Sequence, residues 1–373
     1  MKAHKVCHMS SVHSGLDVRI FHKECCSLVN HSFQVTLVIN ANNQDISTAE
    51  SCNVRLIKLD LIKSRMKRIL FQNYKCYREA LKTNSDIYHF HDPELIPFGV
   101  LLKLRGKIVV YDVHEDVPKA ILNKHWIPSF ARKFVSYMAY AVEFIAAKYF
   151  FEVITATPFI LGRFKRANPR SININNFPLD RDIPREVVRK ECPNEVCYIG
   201  GITKHRGLEE IITALDILQE KIELNLAGNF VEKDFEHKII ALDAWKKVNW
   251  YGYVGRDKVR DILSKSIAGL VTLHPTATYI DSLPVKLFEY MAFGLPVIAS
   301  DFPLWREIII KHKCGILVDP ESPAQIADAI KYCINNRARA FEMGENGRKA
   351  IFEEYNWRNE EKKLIKLYTE LLT

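Results

Sequence analysis

Short apolar, β-rich segments alternate with helical patterns along almost the whole chain, and this alternation constrains the fold more than any other sequence feature. Such alternation predicts parallel sheets whose crossover connections are helices. The apolar segments lack strict polar alternation, as expected for strands that are covered on both faces. We therefore expect an α/β fold of doubly wound sheets. The predicted strands are Val6–Met9, Gln34–Ile39, Ile87–Phe90, Ile108–Tyr111, Val153–Ala156, Val196–Ile199, Leu224–Ala227, Gly269–Leu273, Pro296–Ala299 and Gly315–Val318.

The alternation is interrupted by a polar segment between Asn175 and Pro193 that contains three prolines. Such a segment is typical of a domain boundary, and a new strand–helix unit follows it. A chain of 373 residues is long enough for two domains, each with its own core. The sequence predicts domains at residues 1–177 and 178–355 and a final helical segment at 356–373. Ligands are expected in the loops that follow the strands, outside their carboxyl ends.

Composition excludes several other classes of protein. The chain is 48% hydrophobic and 26% charged, which is typical of a folded globular protein. No apolar stretch has the length of a membrane-spanning helix, and the N-terminal segment lacks the pattern of a signal peptide. The nine cysteines, an odd number without a Cys-x-x-Cys pair, are typical of free thiols in a reducing compartment. We therefore expect a cytoplasmic protein.

Positive charge is concentrated in the first half of the chain. Residues 1–180 contain 25 basic and 15 acidic residues, a net charge of +10, whereas the remaining 28 basic and 29 acidic residues give −1. This asymmetry indicates an anionic partner. Two segments, Lys63–Lys82 and His125–Phe151, mix basic with apolar side chains and predict amphipathic surfaces that lie on the inner face of an anionic membrane. A solvated basic face is the alternative, and no nucleic-acid-binding module is recognisable.

The segment Asp281–Ser300 is the most informative one, because it predicts a loop, a helix that ends at Gly294, and a buried strand. The helix is apolar nearly all round, yet it carries Lys286 and Glu289. Charges in a buried helix need partners. Its N-terminus and Lys286 suit a diphosphate, and Glu289 suits ribose hydroxyls. The alternatives are an ion pair between Lys286 and Glu289 and a helix-capping role for Asp281.

A second segment, Tyr198–Leu215, predicts a strand, a glycine turn, basic residues and a helix. Gly200, Gly201 and Gly207 would let the backbone approach a phosphate closely. The guanidinium of Arg206 suits a diphosphate because it can bind two oxygens at once. The alternative is an exposed basic loop.

Loops in the first half offer further polar candidates. The strand that ends near Asp112 brings His114 to the expected site, with Glu115 and Asp116 as weaker candidates. Gly15 allows close backbone approach after the first strand, and Asp17 either caps the next helix or contacts an acceptor. His91 and Asp92 follow another strand, and Asp92 likewise either caps the next helix or contacts an acceptor.

Other patterns are weak. Asp180–Asp182 has an Asp-x-Asp pattern that binds metals elsewhere, but it lies in the predicted linker. His89 and His91 have no third metal ligand nearby in sequence, so no metal site is expected. No Gly-x-Gly-x-x-Gly motif follows the first strand, which argues against a dinucleotide oxidoreductase.

The spacing of Asp281 and Glu289, followed by the sequence AFGLPVIAS, resembles the signature of the retaining GT-B glycosyltransferases, glycosyltransferase family 4 (group 1). The resemblance implies two Rossmann-like domains facing across a cleft, an N-terminal acceptor domain, a C-terminal donor domain and a final helix that crosses back to the first domain. This sequence departs from the family pattern at Asp281, where Glu is usual, and at Gly201, where many relatives have Arg.

The resemblance also implies a function: metal-independent transfer of a hexose-type sugar, with retention, from a nucleotide-sugar to a glycan or lipid-linked acceptor. UDP is the expected donor nucleotide ahead of GDP, no cofactor is expected, and surface polysaccharide (O-antigen or capsule) synthesis is the expected context. The rival functions are a nucleotide-sugar epimerase and a nucleotide-sugar-binding protein without catalysis. The expected catalytic residues are His114, Arg206, Asp281 and Lys286, and the expected donor-binding residues are Gly15, Gly200, Gly201, Ser282, Leu283 and Glu289.

Overall fold

A computed structural model describes residues 4–60, 62, 64, 67–124, 126–187, 194–218 and 221–373. Lys63, Arg65, Met66 and His125 of the predicted amphipathic segments, and Cys192 and Pro193, lie outside these residues. The chain divides into two compact units. The first comprises Met1–Asn176 together with Trp357–Thr373, and the second comprises Phe177–Asn356.

The first unit contains a seven-stranded sheet in the order β3-β2-β1-β4-β5-β6-β7, and every neighbouring pair is parallel. Its strands are β1 Lys5–Ser14, β2 Gln34–Asn40, β3 Arg55–Leu59, β4 Ile87–Phe90, β5 Ile108–Val113, β6 Glu152–Thr155 and β7 Ile172–Asn173. Its α-helices are α1 Cys26–Asn30, α2 Asn43–Ser51, α3 Asn73–Lys82, α4 Ile96–Leu104, α5 Val117–Leu122, α6 Ser129–Ala147, α7 Pro158–Lys165 and, from the C-terminal segment, α15 Trp357–Glu370. Two π-helical segments, Val18–Cys25 and Arg68–Gln72, and a 3₁₀ turn, Pro93–Leu95, complete it.

The second unit contains a six-stranded sheet in the order β10-β9-β8-β11-β12-β13, which is also parallel throughout. Its strands are β8 Glu195–Ile199, β9 Glu223–Ala227, β10 Val248–Trp250, β11 Ala268–Val271, β12 Val297–Ser300 and β13 Gly315–Val318. Its α-helices are α8 Leu208–Ile217, α9 Lys233–Ile240, α10 Arg256–Lys265, α11 Val285–Ala292, α12 Pro303–His312, α13 Pro323–Asn335 and α14 Arg337–Glu353. Its 3₁₀ turns are Asp180–Asp182, Lys204–Arg206 and Asp243–Lys247.

The structure confirms the predicted α/β class with two doubly wound, Rossmann-like units, and each of the ten predicted strands overlaps an observed one. Three strands were not predicted: Arg55–Leu59, Ile172–Asn173 and Val248–Trp250. All three lie at sheet edges, where a strand pairs on one side only. Edge strands are shorter and more polar, so their sequence signal is weak.

Helix α15 packs within the first unit although it is far from that unit in sequence. Trp357 is buried, and its Nε1 donates a hydrogen bond to Ser27 Oγ at 2.9 Å. The Glu360 carboxylate accepts a hydrogen bond from the Asn175 backbone N–H at 3.0 Å, and Tyr368 Oη lies 2.7 Å from His89 Nδ1. The first unit is therefore completed by the last helix of the chain. No helix among the described residues is long and apolar enough to span a bilayer.

None of the eight described cysteines forms a disulfide bond with another described residue, as expected from their number and spacing. Six of them are buried. Their thiols therefore belong to the packing of the two cores.

Candidate active site

The centre of each sheet provides the expected ligand position. In the first unit, the connection after β1 leads toward one edge of the sheet, and the connection after the neighbouring strand β4 leads toward the other edge. In the second unit, the same holds for β8 and its neighbour β11. Ligands of open parallel sheets bind at the carboxyl ends of such strand pairs. We therefore expect the site residues of each unit to lie at these two positions.

In the second unit, the loop after β8 contains glycines in conformations that other residues rarely adopt. Gly200 has a φ of 122° and Gly207 a φ of 74°. A Cβ atom at Gly207 would lie 1.9 Å from the backbone oxygen of Thr272, which follows β11. Glycine at position 207 therefore lets the β8 and β11 loops lie against each other. Gly201 is exposed and its φ is not positive, so it does not share this requirement.

Arg206 ends the 3₁₀ turn of the β8 loop and is only partly buried. Its Nη1 donates a hydrogen bond to the backbone oxygen of Gly201 at 2.9 Å, and its Nε donates to Tyr279 Oη at 3.4 Å. Both acceptors are neutral, so these contacts orient the guanidinium without neutralising it. Arg206 thus provides a fixed positive charge beside the β8 loop.

Lys286 provides the second positive charge of this site. Its side chain is buried in the first turn of α11, and its Nζ lies 3.6 Å from the centre of the Tyr198 ring. Nζ makes no hydrogen bond to any described residue. Burial and, secondarily, the nearby Arg206 charge hold the pKa of Lys286 well below its ordinary value. A buried ammonium of this kind is costly unless an anion binds to it.

Lys286, Arg206 and Gly200 lie together at the end of β8. A Cβ atom at Gly200 would lie 3.6 Å from Lys286 Nζ and 3.8 Å from Arg206 Nη1. Two cations therefore flank a backbone position that carries no side chain. This arrangement can hold a phosphate or diphosphate.

Asp281 lies in the loop before α11, whereas Glu289 lies within the helix. Glu289 is partly buried in α11, and its charge acts favourably on the Lys286 ammonium. The alternative that Asp281 caps the helix is wrong, because Pro284 occupies the N-cap position and α11 begins at Val285. Asp281 is partly buried in the loop that precedes it.

Ser282 and Leu283 are engaged within their own loop. The Ser282 N–H donates to the Tyr279 backbone oxygen at 3.1 Å, and the Ser282 backbone oxygen accepts from Trp305 Nε1 at 2.7 Å. Leu283 packs against the apolar core of the second unit. The loop before α11 is thus held in place from both sides.

In the first unit, His114 lies at the end of β5, next to a buried ion pair. Asp112 accepts two hydrogen bonds from Arg19, from Nε and Nη2, each at 2.8 Å. Burial alone would raise the pKa of Asp112, but the Arg19 guanidinium holds it well below its ordinary value. The Asp112 carboxylate is therefore ionised and lies 2.8 Å from His114 Nε2. This contact fixes the imidazole of His114, which is 19% exposed.

His114 also lines a cavity of about 840 Å³ that lies wholly within the first unit. His13, His91 and Asp92 also line the cavity and contribute polar atoms. Apolar side chains of α5 and α6 complete much of the lining, with Val117, Ala120, Ile121, Val135, Met138 and Val142. The cavity therefore offers both hydrogen-bonding groups and apolar surface.

Gly15, Asp17 and Asp92 each have a structural role in the loops of the first unit. A Cβ atom at Gly15 would lie 2.5 Å from the Asp45 carboxylate, so the close approach at this glycine is to Asp45. Asp17 caps the helix that begins at Val18 by accepting hydrogen bonds from two backbone N–H groups. Asp92 accepts backbone hydrogen bonds from Ser11 at 2.6 Å and Val12 at 3.1 Å, which tie the β1 loop to β4.

The sequence shows no third metal ligand beside His89 and His91, but the structure does. His8 of β1 and Glu24 of the π-helical segment lie against them, and one potential ligand atom from each of the four residues lies within 4.8 Å of the others. All four side chains are buried. Burial lowers the pKa of His8 and His89 well below the ordinary value and that of His91 to about 4. The Asp-x-Asp segment lies elsewhere, and Asp182 forms an ion pair with Arg256 at 3.2 Å.

Two Rossmann-like units with this strand order have the GT-B glycosyltransferase fold. Sucrose-phosphate synthase from Thermosynechococcus elongatus matches with a TM-score of 0.74 and 18% identity, covering 99% of both chains. Anabaena Alr3699/HepE in complex with UDP-glucose matches with a TM-score of 0.73 and 13% identity, covering 98% of this chain and 99% of the other.

Sequence comparison relates the second half of the chain to a known family. Residues 180–350 match the family described as glycosyl transferases group 1. A GDP-mannose-dependent α-(1-6)-phosphatidylinositol monomannoside mannosyltransferase of Mycobacterium tuberculosis is 25% identical over 202 residues, which cover 51% of each chain. The chain spans about half the length of the curated relatives it first matches.

Proposed function

We propose that the protein is a retaining glycosyltransferase that moves a hexose-type sugar from a nucleotide-sugar to a glycan or lipid-linked acceptor. The observation that carries this proposal is the buried Lys286 ammonium, which has no hydrogen-bond partner among the described residues and lies beside Arg206. A diphosphate bound between these cations would supply the missing anion. Their charge would then stabilise the leaving group as the bond to the sugar breaks.

The roles of the other donor residues follow from their positions around these cations. Glu289, one helical turn beyond Lys286, would accept hydrogen bonds from the ribose hydroxyls. Asp281 and the loop of Ser282 and Leu283 would contact the transferred sugar. The acceptor hydroxyl would attack from the face that the diphosphate leaves, with a phosphate oxygen taking its proton, so that neither a protein nucleophile nor a metal is required at the phosphates.

UDP is the proposed donor nucleotide. The solved structure of HepE in complex with UDP-glucose matches this chain over nearly its full length. GDP is the second candidate, since the mycobacterial relative, which matches over about half the chain, is named as GDP-mannose-dependent. A comparison of the affinities of the full chain for UDP and for GDP decides between them.

The first unit is proposed to bind the acceptor. His114 would contact the reacting end of the acceptor, and the apolar walls of the adjoining cavity suit a lipid or other apolar portion of it. Helix α6 exposes Phe130, Phe134 and Tyr137, which are 87%, 67% and 68% exposed. Together with the positive first half of the chain, these rings favour contact with an anionic membrane surface, as in surface polysaccharide synthesis.

Two rival functions predict different behaviour. A nucleotide-sugar epimerase would convert the donor without an acceptor. A nucleotide-sugar-binding protein without catalysis would bind the donor and leave it unchanged. Incubation of the full chain with a donor panel, with and without acceptor, separates both from a transferase.

The donor site is tested by isothermal titration calorimetry of the full chain with UDP and GDP. We expect Arg206→Ala to weaken binding of the preferred nucleotide about 10–100-fold, because a hydrogen bond between charged groups contributes about 1.5–3 kcal/mol. Arg260→Ala serves as the control, since Arg260 is an exposed arginine of the same unit. Equal affinities of the two variants would rule out a diphosphate site at Arg206.

A further inference from the structure

We propose that His8, Glu24, His89 and His91 bind one zinc ion in the core of the first unit. These residues come from β1, the π-helical segment and the end of β4, and one potential ligand atom from each lies within 4.8 Å of the others. The site is separate from the proposed donor position, which lies in the second unit.

The geometry of the four side chains is that of a metal site. Glu24 Oε2 lies 3.8 Å from His8 Nδ1, 4.0 Å from His89 Nδ1 and 3.9 Å from His91 Nε2. These distances are too long for hydrogen bonds. Four ligands bonded to zinc at about 2.0–2.1 Å in a tetrahedron lie about 3.3 Å apart. A contraction of roughly half an ångström would bring each of the three nitrogens to that separation from Glu24 Oε2.

The polar atoms of this cluster lack enough partners within the protein. Arg19 Nε lies 3.2 Å from Glu24 Oε1, but Glu24 Oε2 makes no hydrogen bond to a described residue. The Glu24 side chain is completely buried. Burying such groups without partners is costly. A metal ion would provide the missing partner of Glu24 Oε2, which lies within 4.0 Å of one nitrogen of each of the three imidazoles.

The surroundings of the cluster resemble those of known metal ligands. His91 Nδ1, on the far side of the ring from Glu24, lies 3.3 Å from the Asp112 carboxylate. A carboxylate behind a metal-binding histidine orients the ring and strengthens the ligand. Asp112 in turn contacts His114 at 2.8 Å. The ion would therefore brace the residues that position His114.

Two contacts must give way when the ion binds. His8 Nδ1 lies 3.0 Å from His91 Nε2, and Tyr368 Oη lies 2.7 Å from His89 Nδ1. Without metal, these four rings would share protons through hydrogen bonds. With metal, the lone pairs of the three imidazoles face the ion, so His8 Nε2 carries a proton and can donate a hydrogen bond to Tyr368 Oη, which lies 3.5 Å away.

Zinc is the ion that this donor set fits best. Three imidazoles and one carboxylate suit zinc, and a site with four protein ligands is closed to water. A closed site is structural rather than catalytic. The proposed ion would hold β1, the π-helical segment and β4 together and would not itself contact substrate.

The test is the zinc content of the full chain, purified without a polyhistidine tag and dialysed after exposure to zinc. Inductively coupled plasma mass spectrometry should find about one zinc per chain. Glu24→Gln and His89→Gln should reduce this content at least about tenfold. The controls His4→Gln and His31→Gln, at exposed positions, should keep it.

Two further measurements keep the proposal testable if the buried variants fail to fold. The cobalt-loaded wild-type protein should show the intense visible absorption of a tetrahedral site, and Tyr368→Phe should retain zinc because it removes only a competing hydrogen bond. Wild-type protein that binds less than about a tenth of an equivalent of zinc would overturn the proposal in favour of a proton-sharing network. Wild-type zinc content in folded Glu24→Gln and His89→Gln would overturn it as well.

Discussion

At the scale of single residues, Lys286 lowers the stability of the free protein and suits the binding of an anion. Its ammonium is buried, lies over the Tyr198 ring and makes no hydrogen bond to the described protein. The cation–π contact returns only part of the cost of burial. A residue that is unfavourable for the free protein and suited to an anion is what a binding site requires.

Replacement of Lys286 by Met should therefore affect stability and binding in opposite directions. Met retains most of the side-chain volume and removes the buried charge, so the free energy of unfolding should rise by about 1 kcal/mol. Affinity for the donor nucleotide should fall about 10–100-fold, because a charged hydrogen bond is lost. Urea unfolding and calorimetry measure the two quantities.

The matched control for this substitution is Lys331→Met, at an exposed position of α13. It should change neither quantity appreciably. A Lys286→Met protein that loses stability, or that binds nucleotide as well as the wild type, would contradict the role assigned to this ammonium.

The donor-side residues were easier to predict than the histidine cluster, and the reason is distance along the chain. Lys286 and Glu289 lie within one helix whose apolar surroundings make their charges conspicuous. His8 and His91 are 83 residues apart, and Glu24 lies on a third element. Only the pairing of β1 with β4 brings them together, and spacing in the sequence carries no sign of it.

At the scale of secondary-structure elements, α6 differs from the other helices of the first unit in what it exposes. Phe130, Phe134 and Tyr137 lie on its outer side, while Val135, Met138 and Val142 line the apolar cavity. Val135, Met138 and Val142 are themselves 36%, 46% and 47% exposed, so neither set of apolar side chains is buried in the folded unit. The side that carries the three aromatic rings fits the boundary between lipid headgroups and acyl chains.

We expect Phe130→Ser combined with Phe134→Ser to weaken binding to phosphatidylglycerol-containing vesicles at least about tenfold, because burial of two phenyl rings is lost. Thermal stability should change little, since both rings are largely exposed. Vesicle co-sedimentation measures the binding.

A double substitution of Phe341 and Phe352 to Ser is the control, because both rings are about half exposed on α14 of the second unit. Similar vesicle binding by the two double variants would argue against α6 as a membrane-contacting helix.

The elements themselves were largely predictable. Central strands such as β4 and β11 are short apolar segments buried on both faces, and their patterns identified them. The strands missed were β3, β7 and β10, all at sheet edges. Exposure on one side permits polar residues such as those of Arg55–Leu59, and a two-residue strand such as Ile172–Asn173 has no pattern to recognise.

At the scale of the whole molecule, the same strand order is used in both units for different purposes. In the second unit, the central strands β8 and β11 bring glycines and cations together, whereas in the first unit β1 and β4 bring histidines and carboxylates together. The chain ends with α15, which returns to the first unit. We propose that the anion site of the second unit binds the donor and that the cavity lined by His114 in the first unit binds the acceptor, while the histidine cluster supports the fold of the first unit.

The central claim is that both sites serve one transfer reaction, and acceptor-dependent turnover tests it most directly. The full chain is incubated with UDP-hexose donors without added magnesium or manganese, with and without lipid-linked glycan acceptors. The product is identified by mass spectrometry and its anomeric configuration by NMR. We predict sugar transfer only when an acceptor is present, with retained configuration, and a loss of at least about a hundredfold in Arg206→Ala. Donor isomerisation without acceptor, an inverted product, or transfer that survives unchanged in Arg206→Ala would contradict the account.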